Sequence, residues 1–303
     1  MSFLYLLEKL RMPVLNELML AVTTLGEETA FLVIGLIVFW CVDKRKGYFV
    51  MCVGFLGTVI SQIMKLTFRI PRPWVLDPDF TILEQAREAA AGYSFPSGHT
   101  QTAVGTFGAL AASSQKKAVR TVCILLAALV GFSRMYIGVH TPADVLVGAA
   151  LAVTLVFVLR KPVLCGTDRA MKICFAAVIA AAIAFLMFVY FWNFPADIDA
   201  HNMESGFKNA YTMIGCAVGI ALVFVVDSKW LDFPVKACWW VQLVKVLAGL
   251  LLVLAVKEGL RAPLELILPV YPARAVRYFL IVLTAGIFWP MTFKRLSKIG
   301  VKS

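Results

Sequence analysis

Apolar stretches long enough to cross a lipid bilayer, or nearly so, recur along this chain, and short clusters of lysine and arginine fall between them. They run over residues 29–42, 47–66, 98–112, 119–132, 143–159, 171–191, 209–226, 237–256 and 276–290. Hydrocarbon offers a backbone amide no water, so such stretches must be helical. With 61% hydrophobic and only 16% charged residues over 303 positions, the chain carries more apolar surface than one soluble core can bury. The expected fold is all-α, a polytopic transmembrane helix bundle of about nine spans preceded by an amphipathic amino-terminal helix. Residues 12–25 are interrupted by Asn16 and Glu17 and followed by Glu27 and Glu28, a pattern that reads as an interfacial helix and not a cleaved leader.

The formal net charge of +11 does not point to nucleic acid, because the cations sit in short clusters between spans and not on one soluble face. Clusters at 44–46, 116–120, 160–172, 229–236 and 294–302 all fall on one side if nine spans alternate. By the positive-inside rule that side is cytoplasmic, with the amino terminus outside and the carboxyl terminus inside. The loops after the second and fourth spans then face outward. Seven cysteines, scattered and odd in number, predict neither a disulfide framework nor a zinc site.

Three segments near those outer loops carry groups that a membrane protein tolerates poorly without a use. The first holds Lys65 and Arg72, with six residues between them, where the second span ends. The second, Pro96-Ser97-Gly98-His99, opens the third span; free N–H groups at a helix start suit an anion, and glycine lets a phosphate approach the main chain. The third runs from Ser133-Arg134 to His140 and Asp144, where Pro142 suits a first helical turn. His140 and Asp144 are one turn apart, so the carboxylate can hold one ring nitrogen and leave the other to attack. Taken singly, each has an ordinary reading: Lys65 or Arg72 as a snorkelling anchor, His99 or His140 as a loop histidine. Their meeting at one membrane face argues for a site.

In their order and spacing, Lys65 to Arg72-Pro73, Pro96 to His99, and Ser133-Arg134 with His140 and Asp144 resemble the three-part signature of the type 2 phosphatidic acid phosphatase superfamily, known as PAP2. The resemblance covers about the first 160 residues. It implies a phosphatase in which His140 is the nucleophile and forms a phosphohistidine, Asp144 orients it, and His99 acts as acid and then base. Lys65, Arg72, Ser97, Gly98 and Arg134 would bind phosphate, with no metal and no cofactor. Three domains are expected: residues 1–28 as the amphipathic segment, 29–160 as the catalytic membrane core, and 161–303 as additional helices. The long carboxyl-terminal part is similar to the glucose-6-phosphatase and sphingosine-phosphate phosphatase branches.

The partners implied are the bilayer and a lipid phosphate, for which a polyprenyl diphosphate or phosphatidate type is favoured, acting at the outer face of a bacterial plasma membrane. A soluble sugar phosphate, phosphate transfer to a lipid acceptor, and a transporter that only binds phosphate are the alternatives. Trp74 and Arg87 are candidates for the substrate entrance, in a loop whose residues 81–91 have helix-forming composition and suit a lid. Trp74, Tyr136 and Trp192 also read as interface-belt aromatics, Asp77 and Asp79 as turn residues, and His201 as a solvated loop histidine. Lys245 reads as an intramembrane cation close enough to the cytoplasmic end to snorkel.

Overall fold

A computed structural model of the chain describes residues 1–87, 90, 92–196 and 198–299. Among the described residues all regular structure is helical. In chain order the α-helices are α1 (Ser2–Lys9), α2 (Pro13–Thr23), α3 (Glu28–Cys41), α4 (Lys44–Phe68), the short turn α5 (Pro73–Leu76), α6 (Gly98–Ser113) and α7 (Lys117–Ile137). They continue with α8 (Pro142–Leu164), α9 (Asp168–Phe191), α10 (Ala200–Val226), α11 (Trp239–Gly259), α12 (Arg261–Ile267), α13 (Val270–Leu283) and α14 (Phe293–Leu296).

Among the described residues seven helical stretches are long and apolar enough to cross a membrane, or eight if Pro13–Gly26 and Glu28–Cys41, bent by 56°, make one span. The ninth expected span is α6, which has 16 residues and at 1.5 Å per residue reaches only about 24 Å. It packs among α4, α7 and α8, so protein rather than lipid surrounds it. The amino-terminal segment is more than a surface helix: α1 and α2 both pack on α7, burying Leu4, Leu7 and Met19.

Between membrane helices packing, not water exclusion, drives association, and small residues let backbones approach. Gly215 on α10 illustrates this, since a Cβ there would sit 2.2 Å from the Ala275 backbone oxygen on α13. Polar contacts gather the basic end of the bundle. Lys44 pairs with Asp227 at 3.0 Å and Asp232 at 3.2 Å, and Arg45 lies 3.6 Å from Asp168. Phe39, Tyr48, Phe175, Phe224 and Phe233 form a linked set of ring contacts beside those pairs.

Several side chains depart from expectation. Lys245 does not snorkel: it is completely buried, and its Nζ donates to the Pro234 and Val235 carbonyls at 3.1 Å each and lies 4.5 Å from the Phe293 ring centre. The segment 234–238 that folds back over α11 supplies carbonyls no helix consumes, and the lysine meets them before it can reach solvent. Tyr136 is buried, not in an interface belt; its hydroxyl donates to Asn16 Oδ1 at 2.8 Å. The expected lid helix is a three-residue 3-10 turn, Glu84–Ala86, and residues 88, 89 and 91 of it lie outside the described set. Leu83, Ala86 and Ala90 pack with Tyr136, Ile137 and Val139. Asp77 is a turn residue, its Oδ1 accepting from the Asp79 N–H at 3.3 Å.

Lys245→Met keeps the side chain's bulk but takes the donor from the Pro234 carbonyl, while the Val235 carbonyl keeps Gln242 Nε2 at 2.9 Å, so the variant is expected to be destabilised by about 1–3 kcal/mol, read as a lower midpoint of thermal unfolding in detergent. An unchanged midpoint would contradict this.

Candidate active site

The three segments meet at the end of the bundle opposite Lys44. Lys65 sits in the last turn of α4 and Ser97-Gly98-His99 at the start of α6, while His140 lies in the link that carries the chain from α7 into α8. The link is built tightly. Gly138 closes α7 at φ 94°, a left-handed value that favours glycine. Thr141 then caps α8 in a capping box with Asp144, and Pro142 opens the helix. A cavity of about 260 Å³ results, its wall including Lys65, Arg72, Gly98, His99 and His140.

His140 is held on both edges of its ring. Arg72 Nη1 donates to His140 Nε2 at 2.9 Å, and since a guanidinium only donates, that nitrogen carries the lone pair and the proton is on Nδ1. Asp144 Oδ2 is 3.5 Å from Nδ1, too long for a good direct bond. Ser94 fills the interval: its Oγ lies 3.3 Å from Nδ1 and donates to Asp144 Oδ2 at 2.6 Å. The same carboxylate oxygen accepts the Thr141 N–H at 2.7 Å. Thus Ser94 and Asp144 hold the Nδ1 edge of the ring, and the Nε2 lone pair is left on the edge that faces Arg72.

Neutral oxygens are among the partners of the cations. Lys65 Nζ donates to the Tyr93 carbonyl at 2.7 Å. Arg72 donates through Nε to the Gly92 carbonyl and through Nη1 to the Val139 carbonyl, both at 2.9 Å. Arg134 is buried one layer behind the cavity wall, with Nη1 donating to Thr23 Oγ1 at 2.6 Å and Nε unpaired among the described residues. Ser97 is also behind the wall, its Oγ engaged with Thr100 Oγ1 at 2.9 Å and its N–H donating to the Asp144 carbonyl at 3.0 Å. Gly98 fronts open space: a Cβ there would meet nothing within 4 Å.

The expected entrance residues sit elsewhere. Arg87 is exposed and pairs with Glu84 at 2.6 Å, with its guanidinium 5.3 Å from the Trp74 ring centre; Arg72 lies 6.0 Å from the same ring. Neither Arg87 nor Trp74 lines the cavity. Residues not foreseen do. Glu27 and Glu28, at the bend between α2 and α3, and Gln101 form part of the wall, and Gly26 presses on His99 so closely that a Cβ would lie 2.8 Å from its carbonyl oxygen. Gly26, Glu27 and Glu28 reach the site together through the bend between α2 and α3, a long-range approach that no spacing marks, and Gln101 lies on α6 two residues after His99. Among the described residues no group of three or more His, Cys, Asp or Glu is gathered to hold a metal ion.

The family model described as PAP2 superfamily matches residues 46–164, and the one described as PAP2 superfamily phosphatase, transmembrane extension, matches residues 211–301. Phosphatidylglycerophosphatase B of Bacillus subtilis is 30% identical over 166 residues, which make up 50% of this chain and 76% of that protein. The chain belongs to the PAP2 superfamily. Its second match of note, undecaprenyl-diphosphatase BcrC of Bacillus subtilis, is 33% identical over 104 residues, 34% of this chain and 51% of that protein. The crystal structure of Aquifex aeolicus LpxE superposes with a TM-score of 0.46 at 28% identity, covering 53% of this chain and 93% of that one. The chain is an integral membrane phosphatase of this PAP2 group.

Burial pushes the His140 imidazole well below its usual range, and the charges of Arg72, Arg134 and Lys65 with nearby His99 push the same way. The unfolded chain takes up a proton on this ring near pH 6.5, whereas the folded protein does not until far lower pH. The unfolded state therefore binds more protons in that window, and stability falls as pH drops through about 6.5. The thermal midpoint of the parent protein is expected to decline between pH 7.5 and pH 5.5 more steeply than that of His140→Gln. Equal slopes would contradict a neutral buried His140.

Proposed function

We propose that this PAP2 phosphatase removes the terminal phosphate from a lipid phosphate or diphosphate, a polyprenyl diphosphate or a phosphatidate-type monoester, at the outer face of a bacterial plasma membrane. One observation carries the reading: His140 Nε2, with its proton fixed on the far nitrogen by Ser94 and Asp144, fronts a cavity lined by Lys65, Arg72, Gly98 and His99.

The reaction follows from that arrangement. An entering phosphate draws the Arg72 and Lys65 donors onto its oxygens, which releases the Nε2 lone pair. Nε2 attacks phosphorus as the bond to the lipid oxygen breaks, and the departing oxygen takes a proton from His99. A phosphate dianion beside His99 favours its protonated form. The Nδ1 proton of the resulting phosphohistidine is shared with Ser94 and Asp144, which offsets the charge on the ring. Water then attacks phosphorus, His99 takes its proton, and the P–N electron pair returns to Nε2. Arg134 acts at one remove, through its charge, and the fixed cations stabilise the spread negative charge that a metal would otherwise meet.

Support for an outer-face site comes from α4, which carries Lys44, Arg45 and Lys46 at one end and Lys65 at the other. At 1.5 Å per residue these ends are about 30 Å apart, one hydrocarbon thickness. The name and match of the two Bacillus relatives, a phosphatidylglycerophosphatase and an undecaprenyl-diphosphatase, favour lipid over soluble substrates.

Purified protein in chelator is expected to release phosphate from at least one lipid phosphate and not from glucose phosphate, with activity abolished in His140→Ala. Ser94→Ala should lower kcat by about 10- to 100-fold, as for a group that orients a reactive histidine, and leave KM unchanged. Turnover by His140→Ala at the parent rate would overturn the assignment of the nucleophile, and a change in KM alone would remove Ser94 from the orienting chain.

A further inference from the structure

A second polar cavity, of about 170 Å³, adjoins the first. Its wall includes Gln62 and Lys65, which also line the catalytic cavity, together with His201, Asn202, Ser205 and Asn209 of α10. Positions 201, 205 and 209 recur every four residues and so share one face of that helix. The PAP2 superfamily match ends at residue 164 and the transmembrane-extension match begins at residue 211, so this face of α10 lies in neither, yet it rests directly on the backbone of the site. Asn202 Oδ1 accepts the Tyr93 N–H at 3.3 Å, on the segment whose carbonyls hold Lys65 and Arg72.

The two cavities differ in charge. The catalytic one has Glu27 and Glu28 on its wall, whereas among the described residues the second has no carboxylate there: an ammonium, an imidazole, amides and a hydroxyl line it. Among the described residues no hydrogen bond engages the side chains of Gln62, His201, Ser205 or Asn209. These are donors without a partner beside a cation, and they suit an oxygen-rich anion. Acidic side chains thus stand on one side of the phosphate cradle and, among the described residues, none stands on the α10 side, which better accommodates additional negative charge on a substrate.

We propose that this second cavity holds a second phosphoryl group of the substrate, the one that stays with the lipid while His140 takes the first, with Lys65 on the shared wall serving both. The inference rests on the phosphatase reading above and adds a source of specificity: α10 makes the enzyme prefer substrates with two phosphoryl groups.

The test compares a polyprenyl diphosphate with the monophosphate of the same polyprenol, in the parent protein and in Asn209→Asp, which keeps the side chain's shape and adds a negative charge. The variant is expected to lose about tenfold or more in kcat/KM on the diphosphate, the scale of a lost hydrogen bond to a charged group, and nothing on the monophosphate. Equal loss on both, or loss on neither, overturns the second subsite while leaving the phosphatase reading intact. Calorimetry reads the cavity without turnover: His140→Ala protein should bind pyrophosphate more tightly than orthophosphate, and adding Asn209→Asp should erase the difference. Equal binding of the two anions by His140→Ala overturns the proposal. Failure of the phosphatase reading shows separately, as no hydrolysis of any lipid phosphate by the parent protein.

Discussion

Cations buried at the end of a membrane helix bundle must be solvated by something when no phosphate is present, and here the solvent is a short strip of backbone. The Gly92 and Tyr93 carbonyls take the Arg72 and Lys65 donors, and the next residue, Ser94, joins His140 to Asp144. One three-residue strip thereby holds Lys65, Arg72 and the His140 ring together. A carbonyl is a weaker partner for a cation than a phosphate dianion, so an entering substrate can displace it. Those carbonyls are neutral, so an anionic substrate meets no charge on them to compete with.

The remaining architecture serves that strip. Helix α6 is too short to span a bilayer alone, but its start must reach the cavity, and α4, α7 and α8 shield it from lipid. The bend between α2 and α3 brings Gly26 against His99 and Glu27 and Glu28 to the cavity wall. Asn202 of α10 buttresses the strip from the other side. At the far end of α4, the pairs of Lys44 with Asp227 and Arg45 with Asp168 tie the core to the later helices.

Much of this was legible in the sequence where the chemistry is local. The capped start of α8 puts His140 and Asp144 together by spacing alone, and the glycine of Ser97-Gly98-His99 marks a helix start facing open space. What depended on pairing across the chain was not legible. Ser94 reaches Asp144 over fifty positions, and nothing in its neighbourhood distinguishes it from a loop serine. Lys245 and Tyr136 read as interface residues because their buried partners, the Pro234 carbonyl and Asn16, lie on other segments. Ser97 and Arg134 were read as direct phosphate ligands, but the cap of α6 and the hydroxyl of Thr23 hold them behind the wall.

The most direct measurement of the central claim is rapid-quench trapping of the enzyme during turnover of a lipid phosphate labelled in its terminal phosphoryl group. A phosphoryl group on His140, stable in base and labile in acid as a phosphorus–nitrogen bond requires, and absent from His140→Ala, is the predicted result. Label on another residue, or base-labile label characteristic of an acyl phosphate, would contradict the account.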